Sequence, residues 1–227
     1  MGSDNLIYRA AVWIVPLIIA IVFHEVAHGW VARLLGDPTA AEQKRLSFNP
    51  LRHVDPVGTV VLPLGLALAG APVFGWAKPV PVDYRRLREP RTGMMLVALA
   101  GPGMNFALAM IGAVVLGLTA FAAPDATGGV RFVIDALFAF IAINVFLALF
   151  NLLPIPPFDG GHVVEGLLPR RAAAVWARLG RFGFVLLFGL LVILPMLAPQ
   201  LNLVQRFVAP PARAVTDWFI GIAAAIA

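Results

Sequence analysis

The sequence predicts an α-helical polytopic membrane protein. It has about four transmembrane helices, a re-entrant β-hairpin loop, and a C-terminal segment that is either an interfacial helix or a fifth membrane helix. Three observations lead there. The chain has 227 residues, 60% of them hydrophobic, and a mean hydropathy of +0.89. Only 13% are Asp, Glu, Lys or Arg, against roughly 25% in a soluble domain. The apolar residues gather in long runs, each near or above the ~20 residues that cross the hydrocarbon core as a helix.

The first run extends from about Leu6 to Leu35. It lacks a basic leader and carries ionisable residues in its middle, unlike a cleaved signal peptide. The second runs from about Thr92 to Ala122, the third from Phe132 to Leu153, and the fourth from Phe182 to Ala198. A fifth stretch, Gly58 to Trp76, holds Gly58, Pro63, Gly65, Gly70, Pro72 and Gly75. That density argues against one straight helix. The run Thr59-Val60-Val61-Leu62 suits extended chain, so a re-entrant β-hairpin is expected there, with a broken transmembrane helix as the alternative. From about Leu203 to Ala227, charges mix with Trp218, Phe219 and Ile220. This tail can lie along the interface or cross.

Charge predicts the sidedness. Lys44, Arg45, Arg52, Lys78, Arg85, Arg86, Arg88 and Arg91 lie between the first and second runs. Arg170, Arg171, Arg178 and Arg181 lie between the third and fourth. A re-entrant loop puts all of these on one face, which the positive-inside rule makes cytoplasmic. Arg9, Arg131, Arg206 and Arg213 fall on the other. The net charge of +5 thus suits anionic headgroups of a lipid bilayer, and no basic patch interleaved with aromatics points to nucleic acid. The expected location is the cell membrane, multi-pass. No repeat or linker divides the chain, so residues 1–227 are read as a single membrane-embedded domain. The absence of cysteine excludes disulfides, thiolate metal sites and a cysteine nucleophile.

The first run contains His24-Glu25-Val26-Ala27-His28. Ionisable groups inside a membrane helix cost several kcal/mol unless they have a function. Residues four apart on a helix lie about 40° apart around the axis and one turn along it. His24 and His28 therefore present their imidazoles side by side, and Glu25 sits within reach of an attacking water. This is the H-E-x-x-H arrangement of two metal ligands and a general base. A catalytic zinc needs a third protein ligand. The obvious donor is Asp159, just past the third run, where Pro154, Pro156 and Pro157 end the helix and Gly160-Gly161 permit a sharp turn. An Asp-Gly turn at a helix end is the plain alternative, outweighed by the incomplete two-histidine site. His53 and His162 are competing donors, better explained as structural or loop histidines. Glu165 reads as a surface acid and Asp135 as a span-edge acid.

These motifs resemble the site-2 proteases, intramembrane zinc metalloproteases with H-E-x-x-H in one membrane helix and N-x-x-P-x-x-P-x-D-G at the end of a later one. Here the second motif reads Asn151-Leu-Leu-Pro154-Ile-Pro156-Pro157-Phe158-Asp159-Gly160, with Phe158 where many members have leucine. A third family pattern, G-P-x-x-N, appears as Gly101-Pro102-Gly103-Met104-Asn105. The resemblance implies one Zn2+ per chain on His24, His28 and Asp159, with Glu25 as base and Asn151 holding substrate backbone. Helix packing is the role expected of Asn105. The implied activity is zinc endopeptidase cleavage within or next to transmembrane segments of membrane protein substrates, as in regulated intramembrane proteolysis, with the active site reached from the cytoplasm. The chain resembles a minimal member: the motifs leave no room between them for the soluble peptide-binding domain of many bacterial members. Nor is there a C-terminal nucleotide-sensing domain. Two other classes compete. A silent scaffold would not need an intact Glu25, and a metal transporter would line several spans with acids and histidines, which here cluster once.

Overall fold

The computed structural model describes residues 6–70 and 75–227. Among them the chain is almost wholly helical and contains no strand. The helices are α1 (Leu6–Leu34), α2 (Thr39–Glu42), α3 (Leu62–Leu68), α4 (Pro90–Ala122), α5 (Gly128–Asn151), α6 (Asp159–Leu167), α7 (Arg170–Gly180), α8 (Gly183–Phe188), α9 (Leu194–Leu197) and α10 (Ala209–Ile226).

Three of these, α1, α4 and α5, are long and apolar enough to cross a membrane. At 1.5 Å per residue they extend about 43, 50 and 36 Å, beyond the ~30 Å hydrocarbon core. Their outward faces remain apolar and exposed, with Trp13, Ile14 and Ile18 on α1, Ile111 and Leu118 on α4, and Val133 on α5. Such surface is stable against acyl chains rather than water. Inward, Ala109, Ala113 and Leu116 of α4 pack with Ile134, Ile141 and Val145 of α5 and with Ala212, Phe219 and Ala223 of α10. On the other side Val12 and Ala20 of α1 meet Ala139 and Ile143 of α5. Small residues let the backbones approach, which drives helix association in lipid. A Cβ on Gly117 would stand 2.6 Å from the Ala223 carbonyl.

One end of the bundle gathers the basic loops. The Arg88 N–H donates to the Leu35 carbonyl at 2.9 Å, tying the exit of α1 to the entry of α4. Asp37, fully buried, braces the same corner: Oδ1 accepts from the Thr39 N–H at 3.0 Å and Oδ2 from the Asp83 N–H at 2.7 Å. The Arg91 guanidinium donates to the Leu168 carbonyl. Gly166 of α6 lies against Met95 of α4. The loops carrying Arg85 to Arg91 and Arg170 to Arg181 therefore meet at one end.

Three segments differ from, or refine, the sequence reading. In place of the β-hairpin expected over Gly58 to Trp76, a π-helical stretch, Pro56–Val61, runs into α3. Residues 71–74, including the expected Pro72 break, lie outside the described residues. The reason is where the prolines fall. Pro56 and Pro63 occupy first-turn positions, where a missing N–H costs nothing. Asp55 caps the start, its Oδ1 accepting from Val57 N at 3.0 Å and Gly58 N at 2.7 Å. The two ends of the segment do meet, since Trp76 N donates to the Gly58 carbonyl at 3.1 Å. The fourth apolar run is not a straight helix. A π-helical Gly189–Ile193 separates α8 from α9, and Val185–Leu197 bends 65° from α7. The pair makes a fourth span only when taken together. Finally, the tail forms α10, which packs into the bundle against α4 and α5.

Candidate metal centre

His24 and His28 lie on one face of α1, and their Nε2 atoms are 3.0 Å apart. Asp159, the first residue of α6, brings its Oδ2 to 3.2 Å from His24 Nε2 and 3.4 Å from His28 Nε2. These three are the one His/Asp/Glu group among the described residues whose ligand atoms converge, all within 4.8 Å of one another.

The far side of each ring fixes its tautomer. His28 Nδ1 lies 2.7 Å from the Val97 carbonyl, which only accepts, so Nδ1 carries the proton. His24 Nδ1 lies 2.6 Å from Asn105 Oδ1. The orientation of that amide is set by a chain of fixed acceptors. Asn105 Nδ2 donates to Asn144 Oδ1 at 2.8 Å and towards the Ala20 carbonyl at 3.3 Å, and Asn144 Nδ2 donates to the Phe140 carbonyl at 2.8 Å. Asn105 Oδ1 is therefore an acceptor, and His24 also carries its proton on Nδ1.

Both Nε2 atoms thus aim lone pairs at a carboxylate oxygen that is itself buried without a hydrogen-bond partner. Three acceptors with no proton between them repel; a cation relieves this. The spacings of 3.0 to 3.4 Å match the edge of a tetrahedral site with bonds near 2.0–2.2 Å, which is about 3.3 Å. Two imidazoles and one carboxylate at that size suit zinc, not an oxygen-seeking calcium. The residues present fit the metal.

The remaining candidates fall as follows. Glu25, half-buried, stands outside the trio, its Oε2 accepting from the Val80 N–H at 2.8 Å. Asn151 ends α5 and donates Nδ2 to the Leu147 carbonyl at 2.9 Å; it is not among the converging groups. His53 is buried, with Nε2 2.7 Å from the Ser47 carbonyl. His162 lies 3.6 Å from Glu165. Neither histidine joins the trio. Asp135 binds Arg131 at 2.9 Å and the Tyr8 hydroxyl at 2.8 Å at the opposite end of the bundle. Phe158 is buried, its ring 4.6 Å from that of Phe150. Gly160 and Gly161 form the first turn of α6. A Cβ on Gly160 would overlap the Leu152 and Leu153 carbonyls, which is how the loop presses Asp159 towards the histidines.

Three residues matter more than the sequence suggested. Asn105 orients a ligand, beyond the packing role expected of it. Asn144 orients Asn105. Gly101 lets α4 touch the imidazoles, since a Cβ there would sit 2.5 Å from His28 Nε2 and 2.6 Å from His24 Nε2. The G-P-x-x-N pattern is thereby explained: glycine admits the rings, and asparagine one turn on holds one of them. The available signal was two asparagines, Asn105 and Asn144, inside apolar spans, where polar groups must find partners.

The sequence of Bacillus subtilis "Putative zinc metalloprotease YwhC" is 38% identical over 194 residues, covering 83% of this chain and 85% of that protein. The chain belongs to peptidase family M50, the site-2 protease family. The family's own profile matches residues 122–194, which hold Asn151 and Asp159. Two mycobacterial proteins named in the same way, both Rip2, extend the M50 relationship across the first motif's side of the chain. That of Mycobacterium tuberculosis H37Rv is 33% identical over 90% of this chain and 68% of its own length. That of Mycolicibacterium smegmatis is 30% identical over 82% and 66%. No solved structure matches the chain. As an M50 member with these relatives and this donor set, the chain is a zinc metalloprotease and a multi-pass membrane protein.

Proposed function

We propose that this chain is an intramembrane zinc endopeptidase that hydrolyses peptide bonds within or next to transmembrane segments of membrane protein substrates. The observation carrying this reading is the convergence of His24, His28 and Asp159 inside a bundle of membrane-length helices. In this reading His24, His28 and Asp159 hold the metal. When bound, zinc polarises a scissile carbonyl and lowers the pKa of a water towards about 7. Glu25 takes the proton from the attacking water and delivers it to the leaving nitrogen. Val80 steadies the Glu25 carboxylate through one oxygen, leaving the other for the proton. Asn151 holds substrate backbone after releasing its bond to Leu147. The end bearing the basic loops is cytoplasmic by the positive-inside rule. It is also where Asp159 enters the site, so water and substrate reach it from the cytoplasm. The setting is the cell membrane and regulated intramembrane proteolysis.

The test is cleavage of single-span membrane proteins by wild type and Glu25→Gln. The variant keeps size and hydrogen bonding but removes the proton acceptor. A loss on the order of 10²–10⁴-fold is expected, with zinc retained. Cleavage by Glu25→Gln at the wild-type rate would show the proposal to be wrong.

A further inference from the structure

The chain from Trp76 to Val82, Trp-Ala-Lys-Pro-Val-Pro-Val, passes directly beside Glu25 and alternates in its hydrogen bonding. The even-numbered residues face the protein. Trp76 donates its N–H to the Gly58 carbonyl at 3.1 Å and accepts from the Thr59 hydroxyl at 2.9 Å. Lys78 donates to the His53 carbonyl at 2.8 Å and accepts from Arg45 Nη2 at 2.8 Å. Val80 donates to Glu25 Oε2 at 2.8 Å. In extended chain the N–H and C=O of one residue share a side, and those of the next residue point to the opposite side. The other edge therefore belongs to Ala77, Pro79 and Pro81. Two of these are prolines and have no N–H. None of their three carbonyls takes a hydrogen bond from a described residue. Pro79 is exposed, and Ala77 and Pro81 are half-buried.

We propose that this is an acceptor-only edge, on which an unwound substrate segment lies extended and donates alternate backbone N–H groups to the carbonyls of Ala77, Pro79 and Pro81. The proposal rests on the protease reading above. A membrane helix that unwinds to be cut exposes N–H groups with little water at hand, and each must find an acceptor. A row of unclaimed carbonyls supplies them. Because Val80 of the same segment binds Glu25, the edge has a fixed register to the reacting bond. A second copy of the edge cannot occupy it, since two edges without donors cannot pair. The arrangement also sets a rule for substrates: proline is excluded at the donating positions and tolerated between them.

The test uses a zinc-chelating oligoleucine hydroxamate and a series in which each backbone N–H is replaced in turn by an ester oxygen. Binding to zinc-loaded wild-type protein in detergent is read by displacement of a fluorescent hydroxamate. Alternating losses are expected, about three- to tenfold at one parity and under about twofold at the other. Equal losses at every position, or none, overturn the edge while the protease reading stands. Failure of the all-amide probe to bind overturns the metal-directed reading and the edge with it. Pro79→Ala adds an outward N–H; it should tighten the all-amide probe by about threefold and keep the alternation. Uniform weakening of the whole series would assign the prolines to chain stiffness alone and overturn the proposal.

Discussion

His24 and His28 sit within a continuous 29-residue helix and are each braced from behind, whereas Asp159 begins a nine-residue helix and has no hydrogen-bond partner at its inner oxygen. The two halves of the metal centre are thus positioned by different forces. On the helical side, hydrogen bonds buried between α1, α4 and α5 set ring orientation and tautomer before any metal arrives. On the loop side, backbone packing at Gly160 sets where the carboxylate stands, and the bound cation is the partner it awaits. The contrast teaches that the histidine half is preorganised, while the carboxylate half is completed by the metal.

The sharpest ways to break this contrast are the two close-approach glycines. Gly101→Ala places a methyl among both imidazoles, and Gly160→Ala forces the Asp159 turn off the Leu152 and Leu153 carbonyls. Each should weaken zinc binding by at least about 100-fold, the upper range of losses for groups that orient ligands. Competition with a chelator measures it. Near-wild-type affinity in both variants would mean that close packing does not set the ligand positions. Asn105→Ala should cost about 10- to 100-fold in zinc affinity, because His24 loses the acceptor that orders its ring. Asn144→Ala acts one bond further out, and Asn105 Nδ2 keeps the Ala20 carbonyl. A loss of only about 1 kcal/mol is expected there. The ranking Asn105 above Asn144, read in the same titration, checks that orientation passes along the chain of amides.

Sequence reasoning reached the metal trio because its chemistry is local and costly. His24 and His28 are one turn apart on a helix that lipid would not otherwise tolerate, and Asp159 follows a proline-broken helix end at matching depth. It did not reach the braces, because which asparagine meets which ring depends on how α1, α4 and α5 cross. The Gly58 to Trp76 stretch misled for a different reason. Proline and glycine were counted as breakers, but Pro56 and Pro63 fall where helices accept proline, and Asp55 supplies the cap. The fourth run was legible as apolar but not as bent, because nothing in its composition marks the 65° turn after α7.

The claim at the centre of the account is that His24, His28 and Asp159 together hold the metal. Elemental analysis of zinc per chain for wild type, His24→Ala and Asp159→Ala, purified in one detergent, tests it most directly. About one zinc per wild-type chain is expected, as for a single three-ligand catalytic site. Both variants should hold much less, with helical content unchanged. Zinc content equal to wild type in both variants would contradict the assignment.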